Sequence, residues 1–550
     1  MSWEPAAREV REALESAIPL KWKLPRGFKT NSKDVTRVPL ECGILSEEEI
    51  RITELDASSL VSKLSTGKLS AAAVTEAFCA RAAIAHQLVN CLAVFFPDQA
   101  RKRAAELDEH FKRTGKPIGP LHGVPIALKD TFDVPGYPTT WGYAASWKKK
   151  ANRESAIVTV LREAGAVFYC KTTMPQTGML LETVSNLFGR TLNPFNPAFG
   201  SGGSSGGDGA LVAMKGSPFA PSTDIGGSIR APAAFNGLYG IRPSADRIPK
   251  RSMKSVESGQ LNIRVSCGPV CHSTSDLKLM TKVVTNWPSA RYDTASMPLP
   301  WREVDESGQK LSFGLWEFDG AVMPHPPILR ALRESAEKLR KAGHEVINIK
   351  IPIDFWEASE VYMRLYYQCG IEDSTKLLAE AGETMMPAAQ KMCDIYGIKN
   401  ESISAREVIK LVQAQNRYRE ILSDFWDATK TSTGRPMDGI LCPVSSVAGY
   451  PHDFLPYWGY TCFLNLVDYP STVLPVKDIK INAGDDPKYL SYQPQNNPFD
   501  TENRDIYDPD LWSSQPVTIQ IVARPFDDEE LLSVTEVADR VINPAQKPML

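Results

Sequence analysis

Short apolar segments alternate with helix-like segments along most of this chain, and this alternation constrains its fold more than any other feature. The alternating segments are strand 124–128, helix 156–164, strand 166–170, helix 328–342, strand 345–349, helix 404–428 and strand 438–442. Strands that alternate with helices favour a mixed or parallel sheet covered by helices. We therefore predict an α/β protein with a central mixed, twisted β-sheet surrounded by helices.

The domain organisation is predicted to be simple. A chain of 550 residues is long enough for one large domain or for two to four ordinary ones. Neither an internal repeat nor a clear linker divides it, which favours a single domain over 46–545. Residues 1–45 form an N-terminal arm, with an amphipathic helix over 5–17 followed by extended chain. Residues 484–512 are rich in Asp, Asn and Pro and are predicted to form a long surface excursion.

Several helix starts are predicted from capping residues, whose side chains can accept a hydrogen bond from the first turn. Asp56 is expected to cap a helix over 57–65, Ser70 one over 71–88, and Asp98 a charged helix that ends near Arg113. Ser155 is expected to start a helix over 156–164. Lys129 directly follows strand 124–128 and is placed at its end.

Composition excludes several classes of function. The hydrophobic fraction of 43% and charged fraction of 23% are typical of a soluble globular protein. A net charge of −3 gives no sign of the positive charge excess that is typical of nucleic-acid-binding proteins. The sequence contains no apolar run of about 18 residues, so no transmembrane helix is predicted. The ten cysteines follow no disulfide framework, which fits a reducing compartment. With no signal peptide apparent, we expect a cytoplasmic location.

The segment 202–230 carries the strongest functional signal. It places Ser204, Ser205 and Ser228 beside paired glycines. Glycine lets a ligand approach the backbone closely, and such a loop can direct several N–H donors at one developing oxyanion. Hydroxyl groups in the same loop suggest nucleophilic chemistry.

A Ser-His-Asp hydrolase is the first alternative, because residues 202–206 satisfy the G-x-S-x-G pattern. A glycine-rich loop satisfies this pattern by composition alone. The pattern also needs a strand just before it, and residues 193–197 are predicted not to form one because they contain two prolines. The histidines downstream, His272, His325, His344 and His452, lack a loop signature.

Two further alternatives concern the same segment. A phosphate site would need a G-K-[ST] sequence or a closing helix N-terminus, and Asp208 places a negative charge where a phosphate would bind. A plain Gly/Ser linker would not contain the ordered residues 223–230. A zinc site at Cys267, Cys271 and His272 is disfavoured because a second ligand pair is missing downstream.

Three separated motifs resemble those of the amidase signature family. They are Lys129 in Ala-Leu-Lys-Asp, Ser204 in Gly-Gly-Ser-Ser-Gly-Gly, and Ser228 in Asp-Ile-Gly-Gly-Ser-Ile-Arg. The resemblance extends over most of the chain, including residues 119–125 and 459–475. Residues 231–244 look most like fungal acetamidases within that family. The resemblance implies the amidase signature fold.

The resemblance also implies a Ser–Ser–Lys triad. Ser228 would be the nucleophile, Ser204 would relay its proton, and Lys129 would be the general base and later the acid. A cis peptide is expected between Gly203 and Ser204. The oxyanion hole would be formed by the N–H groups of Ile225, Gly226, Gly227 and Ser228. The substrate would contact Ser204, Gly178 and Met179. Ser205, Asp224 and Arg230 would support the loop from behind.

Elementary chemistry places a requirement on Lys129. A serine hydroxyl needs an adjacent base, and a lysine is a base only when neutral, whereas its reference pKa is about 10.4. Working near pH 8 requires the pKa to fall by roughly 2–3, and burial at a strand end acts in that direction. Asp130 would oppose this fall, so we expect its carboxylate to point elsewhere.

The acyl pocket is harder to predict. Met179, Leu180 and Leu181 suit an aliphatic or aryl acyl group. Residues 219–222, Phe-Ala-Pro-Ser, depart from the acetamidase pattern, which has glycines there. We expect this bulk to reshape one wall of the site and to disfavour acetamide itself as the substrate.

The predicted function is an amidase that converts a linear monocarboxylic acid amide, a small molecule, into the carboxylate and ammonia through an acyl-enzyme, without a metal or organic cofactor. One alternative is hydrolysis of larger fatty or secondary-metabolite amides or esters by the same machinery. Another is a glutamine-dependent amidotransferase subunit, against which a homodimer active alone would argue. A third is a binding protein without catalysis, which the intact triad positions disfavour.

Overall fold

The computed structural model describes residues 2–28, 30, 32–255, 259–288 and 291–544. Residue 545, the predicted end of the domain, lies outside them. The α-helices are α1 (Glu4–Ala17), α2 (Val38–Glu41), α3 (Glu47–Thr53), α4 (Ala57–Ser65), α5 (Ala71–Val89), α6 (Pro97–Thr114), α7 (Ala156–Glu163), α8 (Gly206–Ala213), α9 (Arg230–Phe235), α10 (Thr274–Asn286), α11 (Pro326–Lys341), α12 (Phe355–Tyr366), α13 (Glu372–Ala381), α14 (Pro387–Ile395), α15 (Ala405–Ala428), α16 (Gly459–Val467), α17 (Asp500–Ile506), α18 (Pro509–Trp512) and α19 (Asp528–Ile542).

The strands are β1 (Leu92–Phe95), β2 (Pro125–Lys129), β3 (Val167–Thr172), β4 (Val184–Ser185), β5 (Gly189–Arg190), β6 (Leu192–Asn193), β7 (Asn196–Gly200), β8 (Phe219–Asp224), β9 (Tyr239–Arg242), β10 (Ser266–Cys271), β11 (Ser312–Leu315), β12 (Glu345–Asn348), β13 (Gly439–Cys442), β14 (Ser471–Pro475) and β15 (Thr518–Val522). The predicted helix–strand alternation is confirmed in each of its segments, with every boundary within two residues of its predicted position.

The main sheet is mixed, as predicted. Its eight strands lie in the order β12-β11-β13-β15-β14-β9-β10-β8. Strand β11 runs parallel to both of its neighbours, β12 and β13, whereas the pairs from β13 to β8 are antiparallel. Helices surround this sheet, and one hydrophobic core joins them to it.

A smaller sheet carries the predicted base. Its order is β1-β3-β2, with β2 parallel to β3. All five residues of β2 are buried, and Lys129 is the last of them, as predicted. Strand β2 packs against β8, the edge strand of the main sheet. This packing brings the end of β2 next to the loop that follows β8.

The N-terminal helix α1 packs on the body of the protein. Val10 and Leu14 on its apolar face are buried in the same core as the central sheet. In the described ranges, no helix combines the length and apolar character needed to cross a bilayer.

The capping predictions have mixed outcomes. The carboxylate of Asp56 accepts the Ser59 N–H at 2.8 Å, and the hydroxyl of Ser70 accepts the Ala73 N–H at 3.1 Å, so both caps are confirmed. The Asp98 cap is wrong, because α6 already begins at Pro97. Proline fits the first helical position, since its fixed φ suits the helix and its missing N–H has no intrahelical partner there.

Ser155 precedes α7 as predicted, but its side chain does not cap the helix. Its hydroxyl instead accepts the Asp133 N–H and donates to the Ser252 carbonyl.

The prediction of a surface excursion over 484–512 is wrong for its second half. This part contains α17 and α18, and it buries Phe499, Tyr507 and Trp512. The Trp512 indole donates to the Gly449 carbonyl at 2.7 Å. The prediction failed because it relied on the polar composition of the segment, whereas these three widely spaced aromatic side chains pack into the core and hold the segment against the protein.

Candidate active site

The loop between β7 and α8 carries Ser204 and is held by very close contacts. A Cβ on Gly203 would lie 2.2 Å from the Leu180 carbonyl oxygen. Gly202 has a φ of +81°, which favours glycine. The peptide bond between Gly203 and Ser204 is cis, as the resemblance implied. These contacts explain why the local sequence is rich in glycine.

Lys129 and Ser204 meet in the interior. The Lys129 amine is fully buried and donates to Ser204 Oγ at 2.8 Å and to Thr223 Oγ1 at 2.9 Å. Thr223 was not predicted as a site residue, although its hydroxyl just before Asp224 in the signature was a signal. The two hydroxyls fix the direction of the amine.

Burial is the largest influence on the pKa of Lys129 and lowers it, because a buried ammonium loses its hydration. The negative charges of Asp208 and Asp224 oppose this fall, and the pKa of Lys129 is lowered to about 8. Asp130, the next residue, pairs with Lys171 at 2.8 Å, which confirms that it points elsewhere. A neutral amine is therefore accessible at mildly alkaline pH.

Ser228 lies in the loop between β8 and α9. It is 2% exposed, and its carbonyl accepts the Ser205 N–H at 3.3 Å. Within the described residues, its hydroxyl makes no hydrogen bond, including none to Ser204. Ser204 and Ser228 line the same cavity. The structure thus joins Lys129 to Ser204 directly and places Ser228 beside them with an uncommitted hydroxyl.

The backbone of this loop is anchored through its carbonyl groups. Tyr362 donates to the Ile225 carbonyl at 2.9 Å, and Thr461 donates to the Gly226 carbonyl at 2.7 Å. The Gly227 N–H, predicted as an oxyanion donor, is donated to Asp224 Oδ1 at 2.9 Å. In the described part of the chain, the N–H groups of Ile225, Gly226 and Ser228 have no acceptor.

Asp224 and Arg230 form the predicted ion pair behind the loop. Arg230 donates through Nε and Nη2 to the two carboxylate oxygens, each at 3.0 Å, and both side chains are fully buried. Asp224 also accepts from Asn465. Burial alone would raise the pKa of Asp224, but Arg230 outweighs it and holds that pKa well below its usual range. The pair fixes both ends of the serine loop.

Ser205 is buried directly behind the catalytic candidates. Its hydroxyl donates to the Thr223 carbonyl at 3.5 Å. This weak contact ties the Ser204 loop to β8.

The cavity has a volume of about 350 Å³ and mainly apolar walls. Trp141, Met174, Gly178 and Ile225 line it together with the two serines. Charged residues Asp246, Lys250 and Arg264 also line it, with Asp246 pairing to both cations. Sequence analysis did not identify this charged cluster, because it comes from a stretch without any recognisable motif.

Two predictions about the acyl pocket are wrong. Gly178 lines the cavity, but Met179 lines a separate small cavity with Cys393. Leu180 packs against Ala388 and Ala389 instead. Residues 219–222 form most of β8 and do not line the cavity, since Phe219 and Ala220 are buried in the core. Side chains alternate between the two faces of a strand, and in β8 only Thr223 reaches the site.

The prediction that no strand precedes the Ser204 loop is also wrong, because β7 includes Pro197. Strand β7 pairs with β6 in a two-stranded sheet and forms one further bridge from Phe199 to Pro451, and a missing N–H donor is tolerated at a sheet edge.

The Ser-His-Asp alternative fails for a different reason. The four candidate histidines bind elsewhere: His272 contacts the Val212 carbonyl, His325 the Asn503 carbonyl, His344 the Leu311 N–H and His452 the Glu182 carboxylate. None of them contacts Ser204 or Ser228 among the described residues.

Comparisons with known proteins find matches over most of this chain. The model of the Amidase family matches residues 73–532. An amidase from Gibberella zeae is 51% identical over 546 residues, covering 98% of this chain and 100% of the relative. An acetamidase from Emericella nidulans is 39% identical and covers all of both chains. Among solved structures, a fatty acid amide hydrolase superposes with a TM-score of 0.91 at 31% identity, covering 98% of this chain and 95% of that chain.

Proposed function

Because the chain belongs to the amidase signature family and is a hydrolase of that fold, we propose that it cleaves a linear monocarboxylic acid amide into the carboxylate and ammonia through a Ser–Ser–Lys triad. The observation that carries this proposal is the buried 2.8 Å hydrogen bond from Lys129 to Ser204 beside the uncommitted hydroxyl of Ser228. No metal or organic cofactor is required by this chemistry.

In the first half of the reaction, Ser228 Oγ attacks the amide carbonyl carbon. Its proton passes to Ser204 Oγ while the proton of Ser204 passes to the neutral Lys129 amine. The carbonyl oxygen becomes an oxyanion, and the N–H groups of Ile225, Gly226 and Ser228 are the donors available to stabilise it. Gly227 supports this loop through Asp224 rather than as a primary donor.

Collapse of the tetrahedral intermediate breaks the C–N bond and leaves an acyl group on Ser228. The proton held by Lys129 returns through Ser204 to the departing nitrogen, so ammonia leaves in neutral form. Water then attacks the acyl-enzyme, with Lys129 again accepting and returning the proton. The carboxylic acid is released and Ser228 is restored.

The size of the cavity favours an acyl group larger than acetyl. A volume of about 350 Å³ falls within the range of sites that bind drug-sized ligands, and the walls of the cavity are mainly apolar. This observation favours a second candidate, hydrolysis of larger aliphatic or aryl amides by the same machinery. The similarity to a fatty acid amide hydrolase points the same way.

A screen of primary amides of graded chain length, followed by ammonia release, tests the proposal. We expect hydrolysis by the wild-type chain, with kcat/KM rising from acetamide to longer acyl groups. The Ser228→Ala variant should be inactive with an unchanged circular dichroism spectrum. Near-normal turnover by this variant would refute the assignment of Ser228 as the nucleophile. Equal values of kcat/KM along the series would refute the preference for an acyl group larger than acetyl.

A further inference from the structure

Asp208 is a buried carboxylate that the proposed chemistry does not use. It lies in the first turn of α8, four residues after Ser204, and is completely inaccessible to solvent. Each of its oxygens accepts one hydroxyl: Thr172 Oγ1 donates to Oδ1 at 2.5 Å, and Ser222 Oγ donates to Oδ2 at 2.7 Å. Burying a carboxylate is costly unless its charge is matched, so the position calls for an explanation.

The two donors lie on either side of Lys129. Thr172 is the register partner of Lys129 in the parallel pair of β2 and β3. Ser222 directly precedes Thr223 in β8, and Thr223 is the second hydroxyl that accepts from the Lys129 amine. The Asp208 carboxylate therefore connects the two strands between which Lys129 is held.

The other ionisable groups around Lys129 are matched or neutral. On β8, Asp224 is paired with Arg230. Directly after the strand of Lys129, Asp130 is paired with Lys171 of β3. On β10, burial raises the pKa of the Cys267 thiol to about 12, which keeps it neutral.

Asp208 on α8 differs from these groups, because in the described part of the chain no cation lies within ion-pair distance of it. Burial raises the pKa of Asp208 to about 6, although the hydrogen bonds from Ser222 and Thr172 and the nearby charge of Lys129 act to lower it. Asp208 is therefore ionised in the pH range in which Lys129 gains and loses its proton.

We propose that Asp208 is a positioning residue for Lys129, whose unmatched negative charge stabilises the ammonium formed when the lysine takes up the proton of the nucleophile. This inference rests on the proposed function. Without that charge, the buried ammonium would be stabilised only by its hydroxyl partners and by Asp224, which is already paired with Arg230, and proton uptake by Lys129 would be harder. Burial lowers the pKa of Lys129, and the charge of Asp208 opposes part of this fall. The neutral and protonated forms of Lys129 therefore stay close in free energy, so that the amine can both take up a proton and give it back.

The Asp208→Asn variant tests this role, because it removes the charge and keeps the shape. Its amide oxygen can accept one of the two hydroxyls, and its NH₂ can donate to the other, so the fold should tolerate it. The readout is the rate at which a fluorophosphonate labels Ser228, measured by mass spectrometry from pH 6 to 10, together with kcat/KM for an amide substrate.

In the wild-type chain we expect both rates to rise with pH as Lys129 deprotonates. In Asp208→Asn the midpoint should move to lower pH by about one unit, because a negative charge no longer favours the ammonium. The plateau of kcat should fall roughly tenfold or more, since the formed ammonium is less stable. Asp208→Glu should restore the midpoint at least in part.

A matched control is available in α10. Asp276 is also fully buried and accepts the N–H and hydroxyl of Ser58, and burial likewise raises its pKa to about 6. The Asp276→Asn variant should leave the midpoint unchanged. Asp208→Ser, which also removes the charge, must shift the midpoint in the same direction as Asp208→Asn, and it continues the test if the asparagine variant does not fold.

The outcomes separate this inference from the proposed function. If wild-type Ser228 is not labelled and amides are not cleaved, both are overturned. If the wild-type rates rise with pH as expected but the uncharged variants keep the same midpoint, only the role of Asp208 is overturned. An equal shift in Asp276→Asn would also overturn it, because the effect would then not depend on proximity to Lys129.

Discussion

The Lys129 amine and the Ser204 hydroxyl lie 2.8 Å apart although 75 positions separate them in the sequence. The contact exists because β2 packs beside β8, while the Ser204 loop is held against the loop that follows β8. Two pieces of chain that carry no common motif thus converge on one hydrogen-bonded pair, which we propose transfers the proton of the nucleophile.

Replacing Lys129 should abolish most of the activity. Lys129→Met removes the base, and Lys129→Arg supplies a cation that cannot lose its proton in a protein. We expect kcat/KM for an amide substrate to fall by roughly a thousandfold in both variants. Melting temperatures near that of the wild type would show that folding is intact. A loss of less than tenfold in either folded variant would contradict the base assignment.

Activity should rise with pH and level off on the alkaline side of 8. The lysine acts as a base only when neutral, and burial lowers its pKa to about 8. The rate should therefore be low at pH 6, half-maximal near pH 8 and constant above about pH 9. A profile of kcat/KM measures this directly. An optimum near pH 5 would be incompatible with a neutral lysine.

The helical and strand framework was largely predictable because its signals are local. Asp56 and Ser70 cap helices through contacts three residues away, and the apolar run before Lys129 is short and unambiguous. The order of the eight strands was not predictable, since it depends on pairings between distant segments. Pro197 in β7 and the buried Trp512 depend likewise on tertiary contacts that composition does not reveal.

The site was predictable only in part for the same reason. Lys129, Ser204 and Ser228 were identified from motifs, and Asp224 pairs with Arg230 as expected. The prediction for Met179 was wrong because adjacent residues face different cavities: Gly178 lines the main cavity, whereas Met179 lines another one. Lys250 and Arg264 line the site without any motif, so the sequence offered no signal for them.

Arg230 should be important for stability as well as for the serine loop. Removing it in Arg230→Met leaves Asp224 charged and buried without its partner, which typically costs about 3–5 kcal/mol. Denaturant unfolding should show a loss of this size.

Arg333→Met is a suitable control for this experiment, because Arg333 pairs with Glu317 at the surface, where its side chain is 61% exposed. Its loss should cost less than about 1 kcal/mol. Similar losses for the two variants would contradict a special role for the buried pair.

Gly227 should tolerate no side chain. Its φ is +132°, and an added Cβ would lie 2.5 Å from Thr461 Oγ1, the group that holds the Gly226 carbonyl. Gly227→Ala should displace the loop and lower kcat by roughly a hundredfold. Gly308→Ala, where a Cβ would meet open space, should keep normal kinetics. Unimpaired turnover in Gly227→Ala would show that the loop geometry is not required.

The most direct test of the account is to trap the acyl-enzyme. An activated ester or slow amide substrate is mixed with the protein, quenched in acid within its first turnover, digested and mapped by mass spectrometry. The account predicts an acyl group on Ser228 in the wild-type chain and none in folded Ser228→Ala. An adduct on Ser204 or Ser205 instead, or amide hydrolysis by Ser228→Ala at the wild-type rate, would contradict it.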